Sequence, residues 1–253
     1  MLAQLLTAEI FSFLLIFCRI GSAIMLMPGY GEAYVAPRVR LMLALLFSLL
    51  LVPVIPGLPP APAELGGLVA LLVGEIAIGL MLGGLARMLI AGVHVAGGII
   101  AYQSSLSSAL TSNITGFQGQ DTSLGNLLSM TTVVLIFVTD LHHLMLRSLA
   151  DSYSLFTPGL FPLMEDVATQ ASRTIASTFR IAMQLASPHL VVGMLLYLGA
   201  GIVARLMPNL QIFFIMMPVQ LFISFCVLMA CFSAIMLWYM EYLQGALGAF
   251  ASP

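Results

Sequence analysis

Residues 199 to 220 read Gly-Ala-Gly-Ile-Val-Ala-Arg-Leu-Met-Pro-Asn-Leu-Gln-Ile-Phe-Phe-Ile-Met-Met-Pro-Val-Gln, and here charge, amide and proline concentrate between two long apolar runs. Pro208 lacks a backbone N–H, so a helix is expected to stop there, and Pro218 is expected to break or kink the returning segment. Asn209 and Gln211 offer side-chain hydrogen bonds to the backbone groups that such a break leaves free. The stretch therefore predicts the tip of a helical hairpin. A plain polar turn between two membrane helices is the alternative interpretation.

The composition predicts an all-α protein of the membrane class. Of the 253 residues, 61% are hydrophobic and 7% are charged, whereas a soluble domain carries about 25% charged residues. The mean hydropathy is +1.10. All eight basic residues are arginines and they are scattered along the chain, so the sequence lacks the dense basic face that nucleic-acid binding requires.

Apolar runs punctuated by proline, glycine and arginine predict the helices. Arg87 is expected to separate the third run from the fourth, and residues 147 to 180 are expected to form an aqueous or protein-facing connection that leads into an amphipathic helix. The third run is rich in glycine at four-residue spacing, which lets another helix approach closely. The predicted runs are 3–27, 39–55, 65–84, 88–110, 124–146, 181–204 and 209–240.

The distribution of arginine gives an inconsistent membrane topology. The turns near residues 38 and 87 carry arginine and those near 58 and 117 carry none, which places the former in the cytoplasm. If each following helix is counted as one membrane crossing, Arg205 lies outside the cytoplasm. Either Arg205 is an exception or these helices are not ordinary bilayer spans.

Charged residues inside apolar runs are functional candidates because charge is costly there. Arg19 and Glu75 qualify most clearly, and the sequence permits them to pair, although a neutral, hydrogen-bonded Glu75 is equally consistent with it. Asp140 and His143 share a helical face and suggest a metal or proton site. With no third or fourth ligand evident nearby, an interfacial helix end is the preferred interpretation, and no metal is predicted.

The sequence offers no support for an enzyme or a cofactor. Its serines do not occur in a nucleophile elbow with a plausible base, and it has no glycine-rich phosphate loop. Cys18, Cys226 and Cys231 lie inside apolar runs. They are expected to be buried free thiols.

Three groups of residues carry a resemblance to a known family. The segment 204–213 with the following Pro218 is the most specific group, because arginine, proline, amide, phenylalanine and a second proline recur there in fixed order. The others are Arg19 with Pro28, Gly29, Pro37 and Arg38, and Gly74-Glu75 with Gly79. Over nearly the entire chain the sequence resembles the FliR family of flagellar export-gate proteins. It departs from the family at Asn209 and Gln211, at Met216 and Met217, and at Gln220.

The resemblance implies a core channel subunit of the flagellar type III export gate. The family is expected to assemble with FliP and FliQ homologues into a spiral of tilted helical hairpins that are not ordinary bilayer spans, much of it held above the plane of the bacterial inner membrane. The assembly belongs to the flagellar basal body and is expected to pass unfolded flagellar proteins. Residues 1–180 would be the FliP-like part of a single FliR-like domain and residues 181–253 its FliQ-like hairpin. FlhB and FlhA homologues are further expected partners. The tip residues expected to dock FlhB are Arg205, Pro208, Asn209, Gln211, Phe213 and Pro218.

Residues 105 to 123 are predicted to form a closing loop inside the channel. The segment is rich in serine, threonine and glycine and its only charge is Asp121, as suits a movable constriction that binds cargo weakly. The family is similarly thought to place a plug loop in this part of the chain, and an ordinary surface loop is the alternative. The predicted plug residues are Leu110, Asn113, Ile114, Gly116, Phe117 and Gly119.

Two other functions stay open at this point. The gate subunit of virulence type III secretion shares the expected architecture. A proton-coupled secondary transporter that uses Glu75 or Asp140 as a proton relay belongs to a different class, and it predicts an internal repeat. The sequence gives only a short match between residues 83–88 and 201–206.

Overall fold

The computed structural model describes residues 2–55, 57–62, 64–104, 123–159, 164–207 and 211–251, and all regular structure in these ranges is helical. This confirms the predicted all-α class. The helices are α1 (Leu2–Leu26), α2 (Pro37–Leu51), α3 (Leu65–Gln103), α4 (Ser123–Val138), α5 (Leu141–Leu155), α6 (Met164–Leu206) and α7 (Ile212–Ala251). Four of the described helices (α1, α3, α6 and α7) are long and apolar enough to cross a membrane, and the bent pair α4–α5 makes a fifth if it counts as one span.

The chain divides into two compact units. Unit 1 comprises Met1–Leu89, Ile136–Ile175 and Gln244–Pro253, and unit 2 comprises Ile90–Leu135 and Ala176–Leu243. In unit 1, α1 packs against α2 and buries Leu15, Ile16 and Ile20 completely. The core of unit 2 contains Val93, Ala96, Ile100, Leu128, Leu185, Ala186 and Tyr239. Helix α3 thus contributes its first part to one unit and its last part to the other.

Three helices are too long to be simple bilayer spans. Helix α3 has 39 residues, α6 has 43 and α7 has 40. At a rise of 1.5 Å per residue these lengths correspond to roughly 58, 64 and 60 Å, about twice the ~30 Å thickness of the hydrocarbon core. Each helix therefore either tilts strongly or extends well beyond the lipid.

The predicted boundary at Arg87 is wrong, because α3 runs through it without interruption. Arginine and the leucine and methionine residues around it favour helix, and no proline interrupts them. The Arg87 side chain is 49% exposed and lies 4.0 Å from the Glu32 carboxylate, so its charge is not buried within the chain. Arg87 is not a turn residue, and the topology argument that used it as one loses that support.

The predicted helix over 124–146 is in fact two helices that meet at 78°. Helix α5 continues to Leu155, so the first part of the predicted connection over 147–180 is helical. Helix α6 already begins at Met164, with Glu165 and Asp166 in its first turn. Acidic side chains there interact favourably with the positive end of the helix dipole, and the predicted connection shrinks to the few residues between the two helices.

Candidate functional site

Arg19 of α1 and Glu75 of α3 form a buried ion pair inside unit 1. The Arg19 side chain is 0% exposed and that of Glu75 is 1% exposed, and Arg19 Nε lies 2.6 Å from Glu75 Oε2. Arg19 Nη2 also donates to Glu75 Oε1 at 3.1 Å. Two parallel N–H···O bonds of this kind are the strongest geometry available to a guanidinium and a carboxylate. The structure thus shows the Arg19–Glu75 pair, which the sequence permitted but did not require.

The remaining donors of Arg19 are directed at α5. Nη2 donates to the Phe156 carbonyl at 2.9 Å, and Nη1 donates to the Ser152 carbonyl at 3.3 Å. The guanidinium carbon also lies 4.0 Å from the centroid of the Tyr153 ring, within the range of a cation–π contact. These carbonyls belong to the C-terminal end of α5, where a cation is favoured by the helix dipole. We call Arg19, Glu75, Ser152, Tyr153 and Phe156 the charged cluster.

Glycine lets α3 approach α1 closely enough to make this cluster. A Cβ added at Gly79 would collide with the Arg19 carbonyl and with Ser22 Oγ, and one added at Gly83 would lie 2.6 Å from the Ala23 carbonyl oxygen. Only glycine fits at such a backbone approach. The predicted role of these glycines in helix association is confirmed, and the associating helix is α1 of the same chain.

Unit 2 contains a second polar group, in which every side chain is uncharged or an imidazole. Gln220 of α7 is 4% exposed, and its Nε2 donates to the backbone carbonyl of Gln103 and to the Tyr197 hydroxyl at 3.2 Å. Gly193 of α6 lies against the Gln103 side chain, which would have to move to admit a Cβ at this position. His189 is 3% exposed, and neither ring nitrogen has a hydrogen-bond partner among the described residues. We call Gln103, His189, Tyr197 and Gln220 the amide cluster.

A small cavity adjoins the amide cluster. It is lined by Gln103, His189, Val192, Gly193, Leu196, Gln220, Ser224 and Val227, and its volume is about 10 Å³. That is at the lower limit for one water molecule. The cavity therefore has no room for a small-molecule substrate.

Comparison with known proteins assigns the chain to a family. A family model described as bacterial export proteins, family 1, matches residues 10–246. The flagellar biosynthetic protein FliR of Caulobacter vibrioides is 36% identical over 230 residues, which cover 90% of this chain and 91% of that protein. The chain belongs to the FliR family. The flagellar biosynthetic protein FliR of Bacillus subtilis is 29% identical over 229 residues, covering 88% of this chain and 87% of that protein. FliR of Escherichia coli is 26% identical over 212 residues, covering 84% of this chain and 80% of that protein.

Membership of the FliR family places the chain in the flagellar protein-export apparatus as a membrane component. The curated relatives named here are all flagellar proteins. The flagellar function therefore has direct support.

The residues expected at the FliR-family hairpin tip are described only in part. Helix α6 ends at Leu206 and α7 begins at Ile212, and Arg205 and Gln211 are both exposed. Pro208, Asn209 and the side chain of Phe213 lie outside the described residues. Pro218 lies inside α7, so a break there is wrong, and the kink that was expected as the alternative stays a prediction. Proline is tolerated inside apolar membrane helices when neighbouring groups re-satisfy the freed carbonyl.

The predicted plug lies outside the described residues. Helix α3 ends at Gln103, Ser104 follows as a turn, and α4 begins at Ser123. The plug residues Leu110, Asn113, Ile114, Gly116, Phe117 and Gly119 all fall between them. Their assignment rests on composition and on the FliR resemblance, and it stays a prediction.

Several residues of the two clusters carry no signal in the sequence. Ser152 and Tyr153 lie in a stretch predicted as a connection, and Phe156 contributes only a backbone carbonyl. Gln103 also acts through its backbone. Arg19 and Glu75 could be found because a charge in an apolar run is conspicuous, whereas their partners are set by tertiary structure.

Proposed function

We propose that this chain is a channel subunit of the flagellar type III export gate, through which unfolded flagellar proteins cross the bacterial inner membrane. The observation that carries the proposal is the low burial of α6 and α7. In each, 11% of the most apolar 18-residue window is buried, compared with 44% in α1. Unless they tilt strongly, helices of roughly 60 Å exceed what a ~30 Å hydrocarbon layer covers, and we infer that other protein chains cover the rest.

The uncovered surface is large and apolar. Soluble monomers rarely expose contiguous apolar patches of more than a few hundred Å², and lipid covers only part of these helices. Among the exposed side chains on α6 and α7 are Met194, Leu195, Leu198, Ile202, Phe214, Phe222, Met229 and Leu237. Because the chain is a FliR-family protein, FliP and FliQ homologues are the partners that fit this surface, with the hairpin in residues 181–253 as the FliQ-like part and residues 1–180 as the FliP-like part.

The form of the bend between α4 and α5 determines on which side of the membrane the α6–α7 hairpin tip lies. The bent pair is either a broken span or a re-entrant loop. We infer the re-entrant form, because α6 then returns Arg205 to the side that carries Arg38 and Arg40, as the positive-inside rule expects. On that cytoplasmic side Arg205, with Pro208, Asn209, Gln211, Phe213 and Pro218, would dock the FlhB homologue, and the FlhA homologue would be nearby.

Photo-crosslinking at the exposed face of α7 tests the proposal. A photoreactive amino acid at Met229, which is 81% exposed, should crosslink to FliP or FliQ homologues when the chain is expressed with them. The same label at Met145, which is 1% exposed, is the matched internal control and should give no crosslink to another chain. Met229→Glu should abolish co-purification with both partners, while Met229→Leu should preserve it.

The gate proposal would be contradicted if the chain alone were stable and monodisperse and the photoreactive residue crosslinked only to lipid. A transporter would behave in that way and would couple proton uptake to a substrate. The two carboxylate oxygens of Glu75 already bind the guanidinium of Arg19, which disfavours Glu75 as the proton relay that such a transporter needs.

A further inference from the structure

The break between α4 and α5 places three metal-ligating side chains together. Asp140 stands at this break with φ of 58° and ψ of 14°, in the left-handed region. It is the one non-glycine residue with positive φ in the part of the chain that the structure describes. His142 and His143 follow in the first turn of α5. The turn in the chain therefore brings all three side chains together at the α4–α5 break, which we call the corner.

One ligand atom from each of these residues lies within 4.8 Å of the other two. His143 Nδ1 is 3.6 Å from Asp140 Oδ1, and the two imidazole centroids are 4.0 Å apart. A tetrahedral zinc ion binds imidazole nitrogen and carboxylate oxygen at about 2.0–2.2 Å, so two of its ligand atoms lie about 3.4 Å apart. The 3.6 Å separation between Asp140 and His143 is close to this distance, and binding of one ion by all three residues requires side-chain rotation that brings the third ligand atom closer.

An unpartnered polar atom points independently to a ligand. His142 Nδ1 is buried and has no hydrogen-bond partner among the described residues. Its ring is held against Phe137 at a centroid distance of 5.0 Å, and Phe137 packs edge-on against Tyr30. A buried ring nitrogen without a partner is costly, and a metal ion would satisfy it.

The other two ligands are open to solvent. The side chains of Asp140 and His143 are 77% and 71% exposed. The Asp140 carboxylate accepts no capping hydrogen bond from α5, although the free N–H groups of a helix N-terminus normally donate one to an aspartate at this position. The corner thus combines one fixed imidazole with an accessible imidazole and an accessible carboxylate.

We propose that Asp140, His142 and His143 bind a divalent transition-metal ion of the zinc class, with water completing its coordination. Two imidazoles and a carboxylate suit Zn²⁺, Ni²⁺ or Cu²⁺, whereas Mg²⁺ and Ca²⁺ prefer sites made of oxygen alone. The sequence counted only Asp140 and His143 as ligands. The structure adds His142, which is the least exposed of the three.

Zinc titration of the assembled complex tests the site. The complex should carry no polyhistidine tag and be purified after chelation, so that zinc binding can be measured by calorimetry. We expect wild-type complex to bind one more Zn²⁺ per copy of this chain than complex with the triple variant Asp140→Asn, His142→Gln and His143→Gln. The zinc that the partner subunits bind is the same in both samples and therefore cancels in the difference. His94→Gln, on α3, is the control and should leave zinc binding unchanged.

Single variants and a spectroscopic probe separate binding from misfolding. His142→Gln and His143→Gln should each weaken zinc binding at least about tenfold while the elution volume of the complex stays the same. Co²⁺ in place of Zn²⁺ should give visible absorption bands that Zn²⁺ abolishes by competition. Equal zinc binding by wild-type and triple-variant complexes would overturn the proposal, as would Co²⁺ spectra that the triple variant leaves unchanged.

Discussion

The charged cluster of unit 1 and the amide cluster of unit 2 both fix helix α3 through hydrogen bonds to polar groups, but the chemical groups differ. In the charged cluster, Arg19 has acceptors at Nε and at both terminal nitrogens, provided by Glu75, Ser152 and Phe156. In the amide cluster, Gln220 donates to two acceptors, while His189 has no partner among the described residues. The ion pair of the first cluster is fully partnered, although the buried Tyr153 hydroxyl beside it has no hydrogen-bond partner among the described residues. The second cluster is neutral and satisfied in part.

The comparison shows how uniformly apolar helices acquire a fixed rotation. Helix α3 is apolar on all sides, so burial of apolar surface alone distinguishes poorly between its rotational settings. Glu75 in its first half and the carbonyl of Gln103 at its end each accept hydrogen bonds from one particular direction. A wrong rotation leaves a polar group unpaired where water is scarce, which is costly. The cost is larger for the charge than for the amide.

The largest effect is expected from Glu75→Leu, which leaves the guanidinium of Arg19 buried without its carboxylate. Breaking a buried ion pair by removing one partner costs about 3–5 kcal/mol. We expect the purified export complex to melt at a clearly lower temperature, and the chain to be depleted from membranes. The double variant Arg19→Met, Glu75→Leu should recover most of the loss, since apolar residues often replace a buried pair without cost.

Arg87→Gln is the matched control for this experiment. Its contact with Glu32 is 4.0 Å long and half exposed, and a surface ion pair contributes at most about 1 kcal/mol. If Arg87→Gln and Glu75→Leu lowered the melting temperature equally, the charged cluster would have no special role in stability.

The next largest effect is expected from Gly79→Ala. The added Cβ would collide with the Arg19 carbonyl and Ser22 Oγ, so α1 and α3 would have to separate at the point where the charged cluster forms. Overpacking of this kind costs about 1–3 kcal/mol. Gly66→Ala on the same helix has nothing within 4 Å of its Cβ and should be neutral or stabilising, because alanine favours helix over glycine. Equal melting temperatures for the two variants would refute the close-approach argument.

The sequence predicted the features that local chemistry controls. Helical runs, the glycine face of α3 and the gap between α6 and α7 follow from apolar periodicity, side-chain size and proline. It did not predict that α3 continues through Arg87, because a single arginine is compatible with both a turn and an exposed helical position. It also missed Tyr153 and Ser152 as partners of Arg19, since a residue 133 positions away along the chain comes close only through tertiary packing.

An intermediate effect is expected from Gln220→Met, which keeps the side-chain volume and removes the N–H donor. The Gln103 carbonyl is then left unpaired, at a cost of about 1–3 kcal/mol. Tyr197→Phe should cost less, because that hydroxyl belongs to a side chain that is 55% exposed and can be replaced by water. Gln184→Met, at an exposed position of α6, serves as the control. If Gln184→Met lowered the stability as much as Gln220→Met, the loss would come from replacing any glutamine by methionine and not from disrupting the amide cluster.

The smallest effect is expected from His189→Leu, and it distinguishes the two clusters most sharply. Arg19 and Gln220 each leave an unpaired partner behind when they are removed. The His189 ring lies near the Ser224 backbone, but neither ring nitrogen makes a hydrogen bond of acceptable geometry among the described residues, and the imidazole loses hydrogen bonds to water on burial. The melting temperature of the complex should therefore stay the same or rise. His189→Gln retains a buried polar group and should be no more stable than His189→Leu. If His189→Leu instead costs as much as Gln220→Met, the imidazole makes a stabilising hydrogen bond, either with the Ser224 backbone or through a water molecule in the adjoining cavity of about 10 Å³, and the argument that His189 lacks a partner fails.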